Sequence, residues 1–225
     1  MTRAGPPLRC AALIPVKALS AGKSRLTPGL RREQIEALTL AMLEDVVAAT
    51  RGVPEIDETR VVTPDPTVAK VAEAAGAVGM LRSDPGLNPA LERAAAELAE
   101  RGLERLLVLL GDVAGARSRD LAEMFAALAG LGGRGAVLAP SRDGGTAALL
   151  LSPHDLLPNR FGPDSAQAHR QIAAARHIPF RELSLPSLAI DLDRLEDARE
   201  LLARGPREAP HTRALLRRLG LGEAR

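Results

Sequence analysis

The residues Asp191-Leu192-Asp193 close the apolar run Ser187-Leu188-Ala189-Ile190, and Asp112 closes another, Leu106 to Gly111. Residues i and i+2 of a strand point to one side, so a strand ending here brings the carboxylates of Asp191 and Asp193 to one point. That geometry suits a divalent cation. Mg²⁺ takes one or two carboxylates plus substrate phosphate oxygens and needs no His or Cys, which makes Asp112, Asp191 and Asp193 a candidate ligand set. Positive charge gathers near the chain's start, where Lys17, Lys23 and Arg25 follow the apolar run Ala11 to Val16. With the backbone N–H groups between them, these cations could surround a triphosphate and neutralise a leaving pyrophosphate. The loop is not a Walker A loop, because the first glycine of that pattern is absent. Metal and cations around strand ends suggest phosphate chemistry on a nucleotide.

A third group is Arg160-Phe161-Gly162-Pro163-Asp164-Ser165, with His169 one turn later. A helix beginning at Ser165 can set N–H groups and a hydroxyl against an anion. Each group also has a plainer reading: a solvated basic loop, aspartates that cap turns or helices, and a Gly-Pro turn. A lone histidine is more often structural than functional, and His154, His177 and His211 receive no role. Cys10 has no second cysteine to pair with, and beside the first strand it reads as a buried thiol.

The elements that must position these residues follow an α/β rhythm. A strand at Ala11 to Val16 leads through a loop to a helix over Arg31 to Thr50, whose Ile35, Leu38, Met42, Val46 and Val47 recur at helical spacing. Strands follow at Thr59 to Thr63, Val78 to Leu81 and Arg105 to Leu110, separated by helices from Pro66 to about Ala75 and from Pro89 to Arg101. Ser118 can cap a helix through Leu128, and Ala136 to Ala139 supplies the next strand. Such alternation implies right-handed crossovers and a three-layer sandwich. Gly144-Gly145-Thr146 then leads into Ala147 to Leu151, too soon for a helical crossover, so a hairpin or edge insertion is expected. A helix at Ser165 to Ala175, a strand near Phe180 to Leu183, the strand ending at Asp191 and a helix from Leu195 to Ala203 complete the expected domain. In an open sheet ligands bind at the carboxyl ends of the strands, where Lys17, Asp112 and Asp191 all fall in this reading.

The chain has 225 residues, 46% hydrophobic and 26% charged, enough for one sizeable α/β domain. We expect a single α/β domain over 9–204 and a basic tail over 205–225. No apolar stretch approaches the roughly 20 residues of a membrane span, and a secretory signal is not expected, so the cytoplasm is the default location. The net charge of +2 is uneven: Arg204 to Arg225 holds six arginines and two glutamates. Three Phe and no Trp or Tyr leave none of the stacking platforms of single-stranded nucleic-acid binders. The leucines Leu215, Leu216, Leu219 and Leu221 among those arginines suit a frayed basic tail better than a membrane-surface helix.

Taken in order, Ile14-Pro15-Val16-Lys17, Ala21-Gly22-Lys23-Ser24-Arg25-Leu26, Leu40-Ala41-Met42-Leu43, Gly86-Leu87-Asn88, Leu110-Gly111-Asp112, Gly144-Gly145-Thr146, Arg160 to Ser165 with His169, and Asp191-Leu192-Asp193 resemble the 2-phospho-L-lactate or phosphoenolpyruvate guanylyltransferase family of coenzyme F420 biosynthesis. The resemblance spans about residues 11 to 203. It implies a three-layer α/β/α, Rossmann-like, glycosyltransferase-A-like nucleotidyltransferase fold with a mostly parallel sheet and a β-hairpin insertion, Mg²⁺ as cofactor and GTP as donor. Carried over by position, Asp112, Asp191 and Asp193 hold the metal, and Thr146, Gly162 and Ser165 bind the phosphorylated three-carbon acceptor. Lys17, Lys23, Arg25, Asn88 and Gly111 face the nucleotide, and Lys17, Lys23, Arg25 and Asp112 serve catalysis. The Phe-Gly-Pro-Asp-Ser and His form looks like the bacterial branch, whose acceptor is phosphoenolpyruvate rather than 2-phospho-L-lactate. The resemblance leaves room for a homodimer and for hand-off to the downstream deazaflavin transferase. The chain departs from the family where Leu-Pro usually follows the aspartate, here Val113-Ala114, and where Asn often follows Gly-Thr, here Ala147. The first change bears on the loop that positions Asp112, since proline would have fixed its backbone; the second bears on acceptor identity. Rival readings are a nucleotidyltransferase acting on molybdopterin or a sugar phosphate, and a regulatory nucleotide-binding subunit without catalysis.

Overall fold

The computed structural model describes residues 9–21, 23–204 and 208–221. Gly22 of the first loop and the ends of the expected tail lie outside the described residues. Among the described residues seven strands form one sheet: β1 (Cys10–Pro15), β2 (Glu58–Thr63), β3 (Val78–Leu81), β4 (Arg105–Leu109), β5 (Gly135–Pro140), β6 (Thr146–Ser152) and β7 (Phe180–Glu182). Their spatial order is β3-β2-β1-β4-β6-β5-β7. The pairs β1/β2, β1/β4, β2/β3 and β5/β7 are parallel, while β6 runs antiparallel to both β4 and β5. The expected hairpin is therefore present, and its second strand lies inside the sheet between β4 and β5, not at an edge.

The helices are α1 (Arg32–Arg51), α2 (Pro66–Ala74), α3 (Leu87–Ala99), α4 (Ser118–Gly130), α5 (Ser165–Ala175), α6 (Leu195–Ala203) and α7 (Pro210–Arg218). At the start of α2, Asp65 accepts from the Thr67 N–H at 2.8 Å and Pro66 occupies the first turn, where no N–H partner is needed. One face of the sheet packs Ile14, Leu107 and Leu150 against Val46 and Val47 of α1, Val68 of α2 and Leu121 and Met124 of α4. The other packs Leu13, Val108 and Leu149 against Leu91 and Ala94 of α3 and Ala166 and Ala173 of α5. Strands covered on both faces have to be apolar throughout, which is why β4 and β6 read as unbroken apolar runs. Fully burying each of these leucines stabilises the fold by roughly 1.5–3 kcal/mol.

Three expectations fail. Residues 187–190 are not a strand: Pro186–Leu188 is a 3-10 turn, and an irregular loop carries Asp191 and Asp193. Ser118 does not cap α4; Arg117 holds that position, and the Ser118 hydroxyl donates to the Ala49 carbonyl at 2.9 Å, tying α4 to α1. The expected frayed tail contains α7, with Leu216 fully buried against α1 and α6 residues Leu38, Met42 and Leu201. Both oxygens of buried Asp45 on α1 accept from the first turn of α7, from the His211 and Thr212 N–H groups at 3.0 and 2.8 Å. No helix among the described residues is long and apolar enough to cross a membrane.

Candidate active site

The carboxyl ends of β1, β2, β3 and β4 open onto one edge, and the neighbours of β1 on either side, β2 and β4, connect in opposite directions along the sheet. A crevice forms at such a reversal. Because β6 is antiparallel, its first residue, Thr146, lies at the same edge as the last residues of the parallel strands. The result is a cleft of about 720 Å³ lined by Lys17, Lys23, Arg25, Gly111, Asp112, Thr146, Gly162, Ser165, Asp191 and Asp193. Ten of the expected site residues thus meet in one place. Asn88 does not: its Nδ2 donates to the Phe161 carbonyl at 3.0 Å and its Oδ1 accepts from the Phe161 N–H at 2.8 Å. Its amide is a strut between α3 and the segment before α5.

Gly111 lets the ends of β1 and β4 close up. A Cβ there would stand 2.7 Å from Val16 Cγ2 and 3.1 Å from the Pro15 carbonyl oxygen. The loop after Asp112 is held without proline, by complete burial of Val113 and Ala114 and by the Val113 N–H to the Leu110 carbonyl. Ala147 is also fully buried, in the apolar cluster with Leu107 and Leu121, while the adjacent Thr146 hydroxyl turns to α5. An Asn in its place would thus enter the apolar core.

The Asp191 loop is anchored on the aspartate across the cleft: the Leu192 N–H donates to the Asp112 carbonyl at 3.1 Å. Asp193 N–H donates to the Asp191 carbonyl at 2.9 Å, a tight turn in place of the strand geometry expected. Between the acids lies Lys23, whose Nζ is 3.1 Å from Asp112 Oδ2 and 2.7 Å from Asp193 Oδ1. Lys23 reaches them from a left-handed backbone position, φ 52°, a strained conformation for a lysine. Burial pulls its ammonium down, but the charges of Asp112 and Asp193 outweigh that and hold it above the usual lysine range. Among the described residues Asp191 has no ion pair, and the nearby Lys23 charge offsets only part of what raises it. Burial first, then the charges of Asp112, Asp143 and Asp193, push its carboxyl up to about 8. Asp112 Oδ1 and Asp191 Oδ1 are buried acceptors without a hydrogen bond. Two buried, unpaired oxygens beside a captured ammonium mark a place where more positive charge is favoured. Among the described residues no three carboxylates or imidazoles already form a ligand cage.

Also in the cleft wall, the Ser165 hydroxyl lies 3.0 Å from Thr146 Oγ1, and His169 Nδ1 lies 3.1 Å from the same oxygen. The Ala166 N–H donates to the Gly144 carbonyl, joining α5 to the turn before β6. Gly162 at φ 140° and Asp164 at φ 53° shape the entry to α5, and only glycine takes the first conformation readily.

Three groups in the wall were missed. Asp143 lines the cleft and accepts from the Ser141 hydroxyl at 2.6 Å and the Gly145 N–H at 3.0 Å. Those bonds, the hydroxyl's foremost, with the nearby Arg25 charge, hold its carboxyl below the usual range. Its signal was present in Ser141-Arg142-Asp143-Gly144-Gly145, an Asx-turn pattern. Arg82 and Asp84 line the cleft with Val62, Leu87 and Ala90, paired at 2.8 Å; their i, i+2 spacing after β3 was the available cue.

The family model for "Guanylyl transferase CofC like" proteins matches residues 10–223. Phosphoenolpyruvate guanylyltransferase of Sphaerobacter thermophilus is 36% identical over 87% of this chain and 93% of its own. That of Rubrobacter xylanophilus is 40% identical over 86% and 94%, and 3-phospho-D-glycerate guanylyltransferase of Colwellia psychrerythraea is 30% identical over 87% and 92%. Among solved structures, a putative nucleotide-diphospho-sugar transferase from Desulfovibrio desulfuricans aligns with a TM-score of 0.75 at 17% identity, over 93% of this chain and 94% of that one. A 4-diphosphocytidyl-2C-methyl-D-erythritol synthase from Anaerococcus prevotii aligns at 0.57 and 13%, over 85% and 95%. These distant likenesses bear on the fold alone, the three-layer α/β fold shared by nucleotidyltransferases. With its cations, carboxylates and hydroxyl pair gathered in one strand-end cleft, the chain is a nucleotidyltransferase and belongs to the CofC-like guanylyltransferase family.

Proposed function

We propose that the protein transfers the guanylyl group of GTP to phosphoenolpyruvate with Mg²⁺, giving enolpyruvyl-diphospho-5'-guanosine and pyrophosphate. The observation that carries this reading is the cleft itself, which gathers a captured ammonium, two unpaired carboxylate oxygens and a hydroxyl pair at a helix start. The acceptor follows the name carried by the Sphaerobacter and Rubrobacter relatives.

Asp112, Asp191 and Asp193 offer oxygen donors only, which fits a hard cation that completes its shell with phosphate oxygens and water. When bound, the ion supplies charge neutralisation and alignment of phosphates. A structural neighbour, glucosyl-3-phosphoglycerate synthase, was crystallised with Mn²⁺ and uridine diphosphate. An oxygen of the acceptor's phosphate attacks the α-phosphorus of GTP, one P–O bond forms, and the bond to the bridging oxygen breaks as pyrophosphate leaves. The acceptor phosphate is already anionic, so no strong base is required; positioning and charge carry the step. Lys17 and Arg25, exposed at the cleft, neutralise the leaving group, and Lys23 can pass from the carboxylates to phosphate oxygens. Thr146, Gly162 and Ser165 hold the acceptor.

The Colwellia relative supports one rival acceptor. Pyrophosphate release from GTP and Mg²⁺ is therefore to be followed with phosphoenolpyruvate, 2-phospho-L-lactate and 3-phospho-D-glycerate in parallel. Fastest turnover with phosphoenolpyruvate is expected. Turnover with another acceptor alone would replace the substrate, and none with any would reject the reading.

A further inference from the structure

His169 is fully buried, and the established chemistry of guanylyl transfer has no use for it. Its ring edge meets Phe161 at 5.4 Å between centroids. Each nitrogen has one neighbour that decides the tautomer. The Arg160 backbone N–H lies 3.1 Å from Nε2. A backbone N–H can only donate, so Nε2 carries a lone pair and, in a neutral ring, Nδ1 carries the proton. The ring is neutral: burial, with the Arg160 charge, depresses it to about 4 against the pull of the Ser165 carbonyl, a further acceptor facing the ring.

A proton on Nδ1 has a consequence for its neighbours. Thr146 Oγ1, 3.1 Å from Nδ1, cannot donate to it. The Thr146 and Ser165 hydroxyls, 3.0 Å apart, hold two protons, and the bond between them uses one. The other has no acceptor among the described residues, and both side chains line the cleft. Were Nδ1 the acceptor, it would take the Thr146 proton, Ser165 would donate to Thr146, and the pair would turn only lone pairs to a ligand.

We infer that His169 is a positioning residue which, as the Nδ1–H imidazole, commits the Thr146–Ser165 hydroxyl pair to donate its spare proton into the cleft and so selects an anionic oxygen of the acceptor over a neutral hydroxyl. This rests on the placement of the acceptor at Thr146, Gly162 and Ser165.

Two measurements on the full chain test it. A long-range ¹H–¹⁵N spectrum of histidine-labelled protein at neutral pH, with His169 identified by its absence from a His169→Gln sample, is expected to show the proton on Nδ1. A proton on Nε2, or a charged ring, overturns the inference whatever the substrate proves to be. In kinetics, His169→Asp sets a carboxylate oxygen where Nδ1 stood, an acceptor that takes the Thr146 proton, whereas His169→Asn sets an amide N–H there. His169→Asp is expected to raise the KM of whichever acceptor the wild type uses by about tenfold or more, the scale of a lost hydrogen bond to a charged group. The KM for GTP stays within about twofold, and His169→Asn keeps the acceptor KM near the wild-type value. An unchanged acceptor KM in His169→Asp, equal rises for both substrates, or an equal loss in His169→Asn would contradict it. A wild type inactive with phosphoenolpyruvate defeats the proposed substrate instead, a result seen before any variant is made.

Discussion

At the scale of single residues, the cleft is governed by unbalanced negative charge. Asp112 contributes one oxygen to Lys23 and keeps another buried and unpaired. Asp112→Asn keeps the shape and removes the charge, so turnover should fall by about two or more orders of magnitude with the circular dichroism spectrum unchanged; near-normal turnover would remove Asp112 from the mechanism. Asp191 makes a second prediction. The unfolded chain releases its proton near 3.8 and the folded chain near 8, so between these values the native state holds a proton that the unfolded state has lost. Stability must therefore fall as pH rises from about 4 to about 8. Without divalent ions, Asp191→Asn should raise Tm at pH 8 by several degrees and make little difference near pH 4. A uniform shift at both pH values would contradict the assigned environment. The identities of these residues were legible because acids and bases after apolar runs are rare enough to notice. Their pairing was not, since nothing in the spacing of Lys23 from Asp112 and Asp193 says that one ammonium bridges both.

At the scale of elements, the site depends on how closely strand ends approach. Gly111→Ala forces a Cβ to within 2.7 Å of Val16 and should cost about 1–3 kcal/mol, visible as a lower Tm together with reduced turnover; unchanged values in both would show that the ends part freely. Asp45 tests the other side of the molecule. Removing its two bonds to α7 by Asp45→Ala should cost about 1–2 kcal/mol, with Tm lowered and KM values unmoved. Helices α5 and α6 were readable to the residue, because apolar spacing and their start signals coincide. The run 187–190 misled because a short apolar stretch looks the same in a strand and in a buried turn. The tail misled for another reason: the leucines of α7 are covered by α1, some 170 residues earlier, and Asp45 caps from that distance. Only tertiary packing reveals such a partner.

At the scale of the whole molecule, one mostly parallel sheet with an inserted antiparallel strand brings a cationic loop, an acidic loop and a hydroxyl pair to a single edge. The reversal of β6 is what allows a hydroxyl at a strand's beginning to face a carboxylate beyond another strand's end. A cationic loop, an acidic loop and a hydroxyl pair in one cleft fit guanylyl transfer, and the family places the chain among such enzymes. The most direct test is ³¹P NMR of the protein with GTP, Mg²⁺ and phosphoenolpyruvate. The account predicts a pair of mutually coupled phosphorus signals from the new P–O–P linkage, growing in step with pyrophosphate. GTP left intact, or hydrolysed to GDP and phosphate with phosphoenolpyruvate unchanged, would contradict it.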